Sequence, residues 1–80
     1  MRFRCQIGHA YTADVLDKAQ ESAAAEAMVV ALRVLEERHT LLVKMAADAR
    51  ARNQILGAKQ YEERAAEYQQ KADMLRTVLE

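Results

Sequence analysis

The sequence predicts an all-α protein: a long antiparallel helical hairpin after a short irregular N-terminal segment. Three observations carry that expectation. Ala, Glu, Leu, Arg, Lys and Gln, all good helix formers, dominate the 80 residues, and proline is absent. Glycine occurs only at Gly8 and Gly57, two places where the pattern is expected to break. Elsewhere apolar residues recur every three to four positions, the repeat of a helix with one face covered.

Composition narrows the function classes. Twelve basic residues balance 12 acidic ones, which leaves no electrostatic footprint for nucleic acid and no polybasic membrane patch. No stretch approaches the roughly 18 apolar residues that span a bilayer. The single cysteine excludes an intramolecular disulfide and suits a reducing cytoplasm. Met1-Arg2 is not followed by an apolar run, so no signal peptide is expected and the location read from the sequence is cytoplasmic. At this length one core is marginal without a metal, disulfides or a partner chain.

The elements follow in order. Residues 1–11 form a Cys-x-x-Gly-His segment, short, aromatic and helix-poor, with Gly8 permitting a turn. Thr12 is a good N-cap, Asp14 adds favourable charge at the positive helix end, and Tyr11 and Leu16 stand at the spacing of a hydrophobic staple. Residues 12–80 then make the hairpin, with helices expected over about 13–52 and 57–79 and a turn over about 53–57. Ser22 offers a second cap where the first helix could be reset.

Two apolar rows run along the first helix. One is Ala27, Val30, Val34 and Leu41; the adjacent one is Met28, Ala31, Leu35, Leu42, Met45 and Ala49. Together they form a face broader than a two-stranded seam needs. Asn53 and Gly57 tolerate the left-handed backbone of a turn. The second helix has the cleanest repeat: Ala58, Tyr61, Ala65, Tyr68, Ala72, Leu75 and Leu79 alternate spacings of three and four. Acid-first pairs four apart, Asp14–Lys18, Asp48–Arg52 and Glu67–Lys71, add a few tenths of a kcal/mol each. A hairpin alone leaves much of the broad face in water. That face calls for a second copy, which would make a four-helix bundle, or for a partner protein.

Two constellations carry possible chemistry. Cys5 and His9 are half of a tetrahedral zinc site, a thiolate and an imidazole brought together by Gly8. Closing the site takes ligands from another chain or from upstream sequence. Glu36 and His39 form the Glu-x-x-His element used by di-iron bundles. Glu62, Glu63 and Glu67, however, fall off the second-helix seam and point away. Cys5 with His9 as nucleophile and base lacks an orienting group and an oxyanion site. Ser22, the only serine, sits at a cap position. No catalytic residue and no resident cofactor is expected, with zinc as the cofactor that Cys5 and His9 could take.

The run Arg2-Phe3-Arg4-Cys5-x-x-Gly8-His9-Ala10-Tyr11-Thr12 resembles the segment that follows the catalytic domain in many bacterial chemotaxis protein-glutamate methylesterases. Ala31-Leu32-Arg33-Val34-Leu35-Glu36-Glu37-Arg38, Tyr61-Glu62-Glu63-Arg64-Ala65 and Leu75-Arg76-x-x-Leu79 resemble the helical tail of the same family. In that family an upstream Cys-x-x-Cys pair would complete a small zinc-ribbon-like site with Cys5 and His9. This sequence starts after the position of that pair and reads as the end of something larger. The family's catalytic domain is not part of it. The resemblance implies a chemotaxis-related, non-enzymatic module, and the expectation is a helical interaction module that self-associates or docks on a partner. Its two alternatives are a zinc-binding adaptor and a di-iron bundle.

Overall fold

The computed structural model describes residues 6–80, with side chains from residue 13 onward. Its architecture is the expected hairpin: α1 over Gln6–Ala51 and α2 over Ile55–Leu79, packed antiparallel in a rod of 70 × 24 × 13 Å. The helical backbone begins at Gln6 rather than near Ala13, so Gly8 and Thr12 lie within α1 and Thr12 is not its cap. Nothing in residues 6–12 forces a break: proline is absent, and a lone glycine costs only about 1 kcal/mol against alanine. α1 also runs past Ser22 without resetting.

The turn is shorter than expected, residues 52–54 rather than 53–57. Asn53 takes the left-handed conformation at φ 64°, while Gly57 sits inside α2 with ordinary helical backbone. The closure is a Schellman motif. The Gln54 amide donates to the Ala49 carbonyl at 2.8 Å and the Asn53 amide to the Arg50 carbonyl at 2.9 Å, so the last carbonyls of α1 are satisfied. The Gln54 carbonyl then accepts from Ala58 N–H at 2.9 Å and opens α2 without a side-chain cap. Asparagine takes the glycine role because its short polar side chain tolerates φ > 0.

The seam of α2 is the one read from the sequence. Ala58, Ala65 and Ala72 are buried, and Tyr61, Tyr68, Leu75 and Leu79 are half-buried between them. On α1 the facing residues are Met28, Leu32, Leu35, His39, Leu42, Ala46 and Ala49, again spaced by four and three, with Met45 beside them. Alanine at every seventh position of α2 lets the backbones approach toward the short end of the usual spacing of about 8–10 Å. No large side chain is fully buried among the described residues, so the core is a shallow one.

Polar contacts on one flank fix the register. Arg50 donates through Nε and Nη2 to both oxygens of Glu62, at 2.7 and 2.9 Å. Two turns-of-seven back along α1, Arg76 Nη2 donates to Glu36 Oε2 at 2.6 Å, while its Nη1 donates to Asp73 Oδ1 at 2.6 Å. Sliding α2 by one heptad would bring Ile55 or Gln69 opposite Arg50 in place of Glu62. Because the sign of the pair is swapped between the two ends, a slide by two would bring Arg76 there. Of the expected same-helix pairs, Asp48–Arg52 forms at 3.3 Å. Lys71, expected to meet Glu67, lies instead 5.2 Å from the centroid of the Tyr68 ring, which Arg38 also covers at 5.2 Å.

Candidate interaction surface

Going toward the N-terminus, Met28 is the last residue of α1 that is half-buried, so α2 runs out near it. Beyond that point α1 continues without a neighbour, and every residue from 13 to 27 is exposed. That is about 22 Å of single helix at 1.5 Å per residue. The seam itself changes character there. Stepping back from Met28 by three and four gives Ala25, Glu21, Lys18 and Asp14, so the a/d row turns polar where α2 ends.

The two apolar rows of α1 therefore have different fates. The row through Met28, Leu35, Leu42, Met45 and Ala49 faces α2, while Ala31, counted with it in the sequence, is exposed. The row through Ala27, Val30, Val34 and Leu41 lies on the opposite side of the helix. Val30 is 55% exposed, and Val34 and Leu41 are each 48% exposed. Leu16, at 56%, and Ala23 extend the same row into the overhang. By sequence pattern alone the two rows join as one broad face. Leu32, His39 and Ala46 complete the inner seam and set its centre away from the outer row, and the strict four–three spacing through them was the signal that could have shown it.

His39 and Glu36 are placed by the fold, and they part company. His39 occupies a seam position, where Nδ1–H donates to the Ala65 carbonyl oxygen at 2.9 Å. The bond depends on Ala65 being small enough for an imidazole to reach backbone. Glu36, one turn earlier, is turned to the flank and held by Arg76. Glu62 is held by Arg50, and Glu63 and Glu67 are exposed. Among the described residues no three His, Cys, Asp or Glu side chains converge as a metal-binding group. Within the hairpin the two residues of the Glu-x-x-His element diverge: heptad position sends Glu36 to the flank and His39 into the seam. Cys5 lies outside the described residues, and so does the side chain of His9.

Beside His39 the small side chains of Ala46, Ala47, Ala65 and Ala66 leave an open groove of 530 Å³, closed at one end by the Arg50–Glu62 pair. The pair sets the local electrostatics. The hydrogen bond from Arg50 holds the Glu62 carboxyl below its ordinary value, and the same bond raises the Arg50 guanidinium. Arg76 is raised chiefly by its bond to Glu36. These are surface ion pairs that orient the helices. No helix among the described residues is long and apolar enough to cross a membrane. No protein-family model matches the chain, and neither does any curated protein or solved structure.

Proposed function

We propose that this chain is a non-catalytic helical interaction module that docks through the outer face of α1. The observation that carries the reading is the exposed row from Leu16 to Leu41, opposite a seam that already has its partner. An amphipathic helix normally shows water one polar side; α1 presents apolar rows on two sides. The second row is of the kind that self-association or a partner protein covers.

The chemosensory context of the reading rests on the resemblance of the Cys-x-x-Gly-His-Ala-Tyr run and of the helical segments to the tail of chemotaxis methylesterases. In that context the module would tether or assemble a signalling protein rather than act on a substrate.

Sedimentation velocity on the full chain, from low to high micromolar, tests the module. A concentration-dependent dimer, or saturable binding to a purified methylesterase catalytic domain or chemoreceptor tail, is expected. A monomer throughout, binding neither, would sink it. Elemental analysis of protein purified without metal columns separates the zinc-binding alternative. Zinc that disappears on Cys5→Ala would move the reading to an adaptor built on Cys5 and His9.

A further inference from the structure

The outer row of α1 is nearly its own mirror image. Read from either end, its residues pair about a midpoint between Met28 and Val29: Leu16 with Leu41, Ala23 with Val34, Ala27 with Val30. The two polar breaks within the row are symmetric too, since Gln20 falls opposite Glu37. We infer that the occupant of this face is a second copy of the same chain, packed antiparallel, α1 against α1, with each α2 on the outside. The inference rests on the interaction-module reading and names its partner, face and register.

Charge favours this alignment. Glu26 and Arg33 flank the row on one side of the helix, and both side chains are exposed with no ion-pair partner among the described residues. In the antiparallel register Glu26 of one protomer lies beside the partner's Arg33. The two-fold axis repeats that pair at the other end, because a two-fold interface is self-complementary. A parallel alignment does the reverse. It would set Glu37 against the partner's Glu37 between Val34 and Leu41, a like-charge contact with reduced access to water.

Sterics favour it as well. Ala23 and Ala27 meet Val34 and Val30 at the centre, small against branched, so two helices can approach closely without a void. Leu16 and Leu41 close the ends. The hairpin seam lies on the far side of α1, so α2 does not obstruct the partner. The polar stretch Asp14, Lys18, Glu21 on the inner side of the overhang stays in water. The product is a layered set of four helices in the order α2, α1, α1, α2, rather than a square bundle around one core.

The test uses the full chain. Sedimentation equilibrium is expected to give a dimer, and Val34→Asp is expected to weaken it at least tenfold while circular dichroism keeps its helical signal, because Val34 does not face α2. Glu26→Arg and Arg33→Glu each weaken the dimer, and the double exchange restores it. Orientation is read separately, by spin labels on Val43→Cys in a Cys5→Ser background. The antiparallel register separates the two labels by about 44 Å along the axis, at 1.5 Å per residue, and a short distance would overturn it. A dimer indifferent to Val34→Asp and to the charge exchange would overturn this face as the interface, while leaving the interaction module standing. A chain that stays monomeric yet binds a methylesterase or receptor fragment would overturn the second copy alone. A monomer that binds nothing would remove both readings.

Discussion

The two sides of α1 differ less in composition than in company. The inner side reads Met, Leu, Leu, His, Leu, Ala, Ala from Met28 to Ala49, and it meets α2. The outer side reads Leu, Gln, Ala, Ala, Val, Val, Glu, Leu from Leu16 to Leu41, and it meets water. What separates them is continuity of the heptad. The inner row holds four–three spacing without a gap as far as Met28 and then turns polar where α2 ends. The outer row starts well inside the overhang and crosses the end of α2 without regard to it. A row whose length matches the helix opposite is a fold determinant; a row that ignores that boundary answers to something outside the hairpin.

The sharpest way to break this comparison is to truncate one residue on each side. Leu42 is buried at 3% exposure, so Leu42→Ala removes a packed side chain from a core with no large residue in reserve. The expected loss is about 2–5 kcal/mol. In a hairpin this small that is enough to unfold much of the population, seen as lost helical ellipticity and a low thermal midpoint. Val34→Ala on the outer side should leave the monomer within about 0.5 kcal/mol of the parent. Thermal melts at low micromolar concentration, where the chain is least associated, check both. Equal effects would mean that the two rows are not distinct.

How much of this was legible in the sequence follows from the same residues. The α2 seam was fully readable, because seven consecutive four–three positions carry no polar intruder. The α1 seam was only half readable, because His39 interrupts the apolar spacing, and a row counted around it takes Ala31 and Met45 where the seam has Leu32 and Ala46. The turn misled for a different reason. Glycine is the usual residue at φ > 0, yet here Asn53 holds that conformation and Gly57 lies in helix. Local pattern marks where a break falls within a few residues; the hydrogen bonds to Ala49 and Arg50 decide which residue takes it. The Glu36–His39 pair was legible as a spacing but not as a site. Its fate depended on the flank contact with Arg76, 40 residues away.

His39 is the next place to sharpen the contrast between the rows. A polar residue at a seam position trades stability for register. Its bond to Ala65 is worth about 1 kcal/mol net, whereas burying a leucine contributes about 1.5–3 kcal/mol. His39→Leu should therefore raise stability by about 1 kcal/mol, visible as a higher thermal midpoint. A fall instead would show that the imidazole bond holds the helices together more than apolar contact does.

Gly57 bears on the turn rather than on either row. A Cβ built there meets nothing within 4 Å, and the residue is in the first turn of α2 at negative φ. Gly57→Ala restricts the unfolded chain without strain in the folded one, so about 0.4–1 kcal/mol of stabilisation is expected in a chemical denaturation. Asn53→Ala is its opposite, since alanine lacks the local hydrogen bonding that lets asparagine accept φ 64°. If both substitutions stabilise, the assignment of the turn to residues 52–54 is wrong.

The smallest effect belongs to the flank pair Arg50–Glu62. Because its bond to Arg50 holds the Glu62 carboxyl below its ordinary value, the folded state binds that proton less readily than the unfolded chain does. Its stabilising contribution is therefore fully present above the ordinary carboxylate range of about 4.3, and it is lost as pH falls through the lower folded value. Arg50 stays charged throughout, since its own shift is upward. Both side chains are nearly half exposed, so salt screens the pair. Thermal melts of the parent and of Glu62→Gln should thus diverge most near neutral pH at low salt. They should converge as the solution is acidified below pH about 4. A gap that persists in acid would assign the Glu62 contribution to packing rather than to charge, and would leave the register to the alanine seam alone.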